Sequence, residues 1–186
     1  PYDCSKITDH EVEAWDNQEV YDQMIAALHV RNIPIIEKMD NTPFQFGNFT
    51  ITLFNTEDPP SSKKVGENDN SLGVLVEKNG TRVFLSGDID NLSGDEKRLA
   101  PEIGKIDLLK VGHHSYRYST SAFWLKTLHP TVCVITNDRA SIDRQTVFRI
   151  KCVAHACVLI TGQENGVIAK IGNNGQIKYY TGIHKD

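Results

Sequence analysis

Val83-Phe84-Leu85-Ser86-Gly87-Asp88 and Leu108-Leu109-Lys110-Val111-Gly112-His113-His114-Ser115 share one plan. Each is an apolar, strand-like run that reaches a glycine and then delivers side chains able to ligate a metal. A carboxylate and imidazoles at neighbouring strand ends suit a bound divalent cation used for hydrolysis, zinc first, with manganese also compatible. Asp88 closes a buried strand, where a carboxylate is costly unless paired, hydrogen-bonded or metal-bound. Its alternative use is to cap the turn Ile89-Asp90-Asn91.

Adjacent residues of an extended strand point to opposite faces, so His113 and His114 cannot both ligate one ion from a strand. In a loop just past Gly112 they can divide the labour, one on the metal and one on a substrate oxygen. A merely solvated histidine pair leaves the apolar run 106–111 before it unexplained. Two further metal-ligand candidates are Asp69, in Asn68-Asp69-Asn70-Ser71, and Asp138, after the apolar run 131–136. For Asp69 the competing reading is an Asx-turn that starts a strand. Asp138 shares an edge with Asp88 and His113 only if those strands run parallel. Tyr116, Tyr118 and Ser119 follow the histidine pair and are candidates for lining a pocket, with exposed loop residues as the alternative; Tyr116 and Ser115 are the candidates for contacting substrate.

Other signals are weaker. Asp9-His10 is a decoy, because Ser5 and Ile7 stand where a zinc motif needs histidines. His29, His129, His155 and His184 are scattered and read as surface or helix-end residues. Cys133 sits in an apolar run as a small buried hydrophobe. Cys152 and Cys157 bracket a possible metal clip, but the segment reads better as a helix end running into a strand. There is no phosphate-binding Gly-rich loop, nucleophile elbow or dinucleotide fingerprint.

The 186 residues are enough for one domain with a proper core. Hydrophobic residues at 39% and charged residues at 24% are ordinary for a globular protein. A net charge of −4 argues against a dedicated nucleic-acid-binding surface, while leaving room for a phosphate held through metal ions. No apolar run reaches the roughly 20 residues that span a bilayer. The start Pro1-Tyr2-Asp3-Cys4 lacks an initiator Met and a signal peptide, which is expected of a chain beginning inside a longer protein or after processing.

The elements that must position the chemistry follow from periodicity. Asp16 and Glu19 form a capping box opening a helix over 17–31, with Val20, Tyr21, Met24, Ile25 and Leu28 on one face. A short strand is expected at 34–37 and a hairpin arm at 49–53, then a long polar loop over 57–70. Asn79-Gly80 predicts a type I′ hairpin joining 72–78 to 81–85. Ser93 and Glu96 box the start of a helix to about 102. Strands at 106–111, 131–136 and 156–161 alternate with helices at 121–128 and 143–153, and a hairpin of 166–171 and 176–181 turns at Asn173-Asn174-Gly175. The expectation is an α/β fold with a mixed sheet and no second core.

Asn68-Asp69-Asn70-Ser71, Phe84-Leu85-Ser86-Gly87-Asp88 and Asp107-Leu108-Leu109-Lys110-Val111-Gly112-His113-His114-Ser115 together resemble the metallo-β-lactamase superfamily. The resemblance is to its branch of competence-protein hydrolase domains and phosphorylcholine esterase. It implies the C-terminal half of an αββα sandwich with a two-zinc site, Asp88 bridging the metals, His113 and His114 ligating and contacting phosphate. It implies phosphoester hydrolysis on a phosphate-containing small molecule or cell-surface substrate, in an exported or cell-surface setting.

The sequence also departs from that pattern. The His-x-His-x-Asp-His motif upstream of the first helix is absent, so 1–186 is expected to be a single partial domain, its open sheet covered by a missing N-terminal segment or a second copy. Ser141-Ile142-Asp143-Arg144-Gln145 replaces the expected Tyr-Gly-His-Pro, and Ser115 replaces the usual Gly after the histidine pair. Two alternatives stay open: a degenerate non-catalytic half-domain serving binding or assembly, and a competence-type nuclease domain.

Overall fold

The computed structural model describes residues 7–15, 17–36, 38–56, 66–138 and 140–182. Seven strands form one mixed sheet in sequence order: β1 (Phe44–Phe46), β2 (Phe49–Phe54), β3 (Gly73–Lys78), β4 (Thr81–Leu85), β5 (Leu108–Lys110), β6 (Val132–Ile135) and β7 (Cys157–Ile160). The first four pair antiparallel as a meander. From β4 onward every pairing is parallel. The change of direction follows from the connections. Asn79-Gly80, both at positive φ, makes the tight turn between β3 and β4. Crossovers through α3 (Asp95–Ile103), α4 (Ala122–Leu128) and α5 (Arg144–Arg149) join the parallel strands. The expected α/β fold with a mixed sheet is therefore observed.

Strand alternation sorts the two faces. Leu75, Phe84, Leu109, Cys133 and Ile135 pack with Leu99, Ile103, Trp124, Leu125 and Leu128 in a core between sheet and helices. Phe84 lies edge-on to both Phe54 and Trp124, at 6.0 and 5.7 Å between ring centres. Burial in this core pushes the Cys133 thiol up to about 12, so it behaves as a small hydrophobe. On the opposite face, Val76, Val83, Leu85, Leu108 and Val134 line an apolar cavity of about 410 Å³ with Val167, Ala169 and Ile171 of β8 (Val167–Ile171). That strand and β9 (Ile177–Thr181) form a separate antiparallel hairpin, tied to the β3–β4 turn by Asn79 Nδ2 donating to Asn173 O at 2.8 Å.

Several expectations are corrected. The run 34–36 is exposed coil rather than strand, since no neighbour pairs with it, and Glu37 lies outside the described residues. After the short helix α1 (Asp9–Trp15), helix α2 (Asn17–Val30) forms as expected, but none of its residues is buried, and Val20 and Met24 of the expected apolar face are about half exposed, at 59% and 49%. Its proposed cap, Asp16, lies outside the described residues, as do Cys4, His184 and most of the loop 57–70. Ser93 and Glu96 do not cap α3: Gly94 is the N-cap without a side-chain bond. The Glu96 carboxylate instead accepts from the amides of Thr120 and Ser121, the latter at 2.8 Å. The helix expected over 143–153 is capped by Asp143 but becomes a π-turn over Ile150–Ala154. Cys152 and Cys157 are free and exposed. No described helix is long and apolar enough to cross a membrane.

Glu96 ties α3 to the loop below the histidine turn, and its carboxyl is 1% exposed. Burial raises it above its ordinary 4.5, opposed by the Ser121 and Thr120 hydrogen bonds. Its ionisation therefore costs the folded state more than the unfolded one. The stability it contributes is fully present below about 4.5 and falls as pH rises through the higher folded value. Glu96→Gln does not titrate, so the wild-type advantage over this variant should shrink between pH 4 and pH 7 in urea unfolding.

Candidate functional site

Parallel pairing of β4, β5 and β6 sends their C-terminal ends to one edge, where ligands bind in open α/β sheets. Because β3 runs antiparallel to β4, the turn Glu67–Asn70 before it reaches the same edge. Four corners thus meet: Asn68 to Ser71, Ser86 to Asp90, Gly112 to Tyr116, and Thr136 to Asp138.

The corners are knitted by backbone. Ser86 Oγ donates to Lys110 O, Lys110 Nζ to Gly87 O at 2.7 Å, and His113 N to Gly87 O at 3.2 Å. Ser71 Oγ accepts from Asp88 N at 3.2 Å. Gly112 is required by contact, because a Cβ there would lie 2.3 Å from Ile89 O. Past it, His113, His114 and Ser115 all take positive φ, at 46°, 52° and 71°. Each left-handed non-glycine residue costs roughly 1–2 kcal/mol, and such strain persists only where the surroundings over-determine it. Here all three carbonyls are held: His113 O by Tyr116 N at 2.7 Å, His114 O by Asn137 Nδ2 at 3.0 Å, and Ser115 O by Asp143 N at 3.2 Å.

The turn resolves the problem of two adjacent histidines. Both reach the site, each with its Nδ1 held from behind. His114 Nδ1 lies 2.8 Å from Thr136 O, and a carbonyl only accepts, so that nitrogen carries the proton. In the neutral ring, Nε2 then presents a lone pair, 3.4 Å from Asp88 Oδ1. Two acceptors facing each other at that distance are satisfied by a proton or by a shared cation. Two ligands about 2.0–2.1 Å from a tetrahedral ion lie roughly 3.4 Å apart, so the pair matches one edge of a zinc site. His113 Nδ1 lies 3.4 Å from Oδ2 of Asp90, whose side chain is 2% exposed, and its Nε2 lies 3.4 Å from Asn68 Nδ2.

The Asp88 carboxylate, a third exposed, is also 3.7 Å from Lys110 Nζ. Burial pulls that ammonium below its ordinary range, with Asp88 opposing the shift. Asp88 therefore faces His114 and Lys110 rather than capping the following turn; Asp90 caps instead, accepting from Leu92 N at 2.8 Å. The other candidates stand apart. Asp69 Oδ2 accepts from Gly66 N at 2.9 Å and Ser93 Oγ at 2.6 Å, which is the Asx-type use. Asp138 is exposed, and hydrogen bonds from Ser141 and Ala140 hold its carboxyl below its ordinary value. Ser115 is buried, with its hydroxyl unpartnered among the described residues, whereas Tyr116 is exposed beside His113, ring centres 4.7 Å apart.

Among the described residues, no group of three or more His, Cys, Asp or Glu side chains is placed to hold a metal. Asp88 and His114 would by themselves supply at most two ligands of a four-ligand set. Four supporting residues escaped the motif reading: Asp90, Lys110, Thr136 and Asn137. Asp90 was visible only as part of a loop, and the carbonyl of Thr136 carries no sequence signal.

No protein-family model matches this chain. It is 37% identical over 73 residues to Recombination protein 2 of Haemophilus influenzae, covering 39% of this chain and 9% of that protein. It is 29% identical over 151 residues to ComE operon protein 3 of Bacillus subtilis, covering 79% of this chain and 19% of that protein. The chain therefore spans from about a tenth to a fifth of the length of the curated relatives it matches.

Ser115 at φ 71°, with a buried idle hydroxyl, is a residue placed where glycine is at ease. Ser115→Gly should raise stability by about 1 kcal/mol, read as a shift in urea midpoint at unchanged slope.

Proposed function

We propose that this chain supplies the phosphate-facing wall of a metal-dependent phosphodiester hydrolase acting on nucleic acid. The observation that carries the reading is the Asp88–His114 edge of 3.4 Å, with His114 locked by Thr136 in the tautomer that turns its lone pair toward the carboxylate. Locking Nδ1 through a carbonyl is how ligand histidines are commonly oriented, and it raises their basicity. Asp88 and His114 would hold a zinc or manganese ion, with further ligands from outside the described residues. Such an ion, when bound, lowers the pKa of its water and neutralises charge on phosphate oxygens.

The chain's own residues do the rest. His113, backed by Asp90, turns Nε2 to the same edge beside Asn68 and is positioned to contact a phosphate oxygen. Lys110 brings its Nζ to 3.7 Å from Asp88. The motifs leave two substrate classes open, a nucleic-acid phosphodiester and a phosphorylcholine ester. The relatives favour the first, since one is named for recombination, a reaction of nucleic acids, and the other for the ComE operon. That supports the competence side of the resemblance. The −4 charge remains compatible, because a bound cation rather than a basic surface would meet the phosphate.

A second reading, a non-catalytic binding module, is favoured by the donor count: two described ligands hold a divalent ion weakly. One assay separates them. The chain is incubated with a labelled single-stranded oligonucleotide and millimolar Mn²⁺ or Zn²⁺, and products are resolved on a gel. Metal-dependent cleavage is expected, falling about 100-fold or more in Asp88→Ala and in His114→Ala. Absence of cleavage at saturating metal, or cleavage untouched by both substitutions, assigns the chain to the binding reading.

A further inference from the structure

Beside the histidine turn, three consecutive side chains stand out from the surface without any described role in the fold. Tyr116 is 45% exposed and Tyr118 40% exposed. Their rings meet edge to face at 5.6 Å, and Tyr116 lies against His113 at 4.7 Å with a 35° tilt. The Arg117 guanidinium sits 4.5 Å over the Tyr118 ring and has no carboxylate partner among the described residues. The backbone beneath is pinned from several sides. Arg149 Nη2 donates to Arg117 O at 3.3 Å and Ser119 O at 3.0 Å, and Asn91 N donates to Tyr118 O at 3.1 Å. Ser119 N and Oγ both donate to Tyr116 O, at 2.9 and 2.8 Å. The aromatic pair is thus held in place before any ligand arrives, which lowers the ordering cost of binding.

We propose that Tyr116, Arg117 and Tyr118 form a platform on which an unpaired nucleobase stacks next to the phosphodiester that His113 would contact, with Arg117 taking the adjoining phosphate. This rests on the phosphodiester reading and narrows it to single strands. Stacking of a base on an exposed aromatic ring is tolerant of sequence and needs no broad basic surface, which agrees with the net charge of −4. A guanidinium over a tyrosine ring is a sound neighbour for a phosphate. It is a poor one for the quaternary ammonium of choline, which seeks aromatic faces free of cations. The same arrangement therefore turns the site away from a phosphorylcholine ester.

The test measures binding by the whole chain in EDTA, using fluorescence anisotropy with a labelled oligothymidylate and an abasic strand of equal length. The base-bearing strand is expected to bind at least about fivefold tighter. Tyr116→Ala and Tyr118→Ala should each close most of that gap, Tyr116→Phe should keep it, and Arg117→Glu should weaken both strands. A cooperative urea transition with an unchanged slope shows that each variant is folded. Equal affinity for the two strands, no binding of either, or indifference to both tyrosine substitutions overturns the platform. Displacement of the oligonucleotide by phosphorylcholine at lower concentration than by thymidine monophosphate overturns it in favour of a cation-binding cage. EDTA removes hydrolysis from this measurement, so base-dependent binding here, together with no cleavage in the Mn²⁺ or Zn²⁺ assay, counts against the hydrolase reading alone. Cleavage with equal affinity for both strands counts against the platform alone.

Discussion

The parallel pairing of β4 with β5 is the constraint on which the site depends. Val83 opposite Leu108 and Leu85 opposite Lys110 set the register, and that register alone decides that Gly87-Asp88 meets Gly112-His113. A slip of β5 by one residue against β4 would turn Leu109 out of the core while Phe84 stayed in, and would carry the metal-competent side chains away from each other. The core enforces the register, since Phe84 and Leu109 are fully buried between the sheet and α3 and α4. Stability and the geometry of the site are thus joined in the same few residues.

From that register the strain in the histidine turn becomes intelligible. An extended chain past Gly112 would send two adjacent imidazoles to opposite faces. The left-handed turn brings both to one edge, and bonds from Tyr116, Asn137 and Asp143 hold it there. The site then places charge in layers. Buried Asp90 stands behind His113, the Thr136 carbonyl behind His114, and Lys110 beside Asp88. Both rings expose Nε2 forward, which is the face a cation or phosphate would meet.

Much of this was legible in the sequence where the signals are local. Asn79-Gly80 specifies its hairpin through the positive φ both residues accept, and the alternation of strands and helices after residue 100 leads directly to a parallel sheet. The run 34–36 misled because apolar composition resembles a strand whether or not a neighbour exists to pair with it. Ser93 and Glu96 misled for a related reason: the spacing of a capping box was present, but the orphan amides of Thr120 and Ser121 took the carboxylate. At the site, Asp88 and the histidine pair were legible as motifs. Asp90, Lys110, Thr136 and Asn137 were not, since their roles arise from register and from backbone carbonyls. Asp69 and Asp138 had the right chemistry at the right edge, yet local turn hydrogen bonds occupy them.

The proposed cation position lies between Asp88 and His114, whose facing atoms are 3.4 Å apart. The most direct measurement is NMR of the uniformly labelled chain, with long-range imidazole correlations recorded before and during addition of substoichiometric Mn²⁺. His114 is expected as the Nδ1-protonated tautomer, with selective paramagnetic broadening at Asp88, His113 and His114 before other carboxylates respond. An Nε2-protonated His114, or broadening that starts at scattered surface acids and spares this edge, would contradict it.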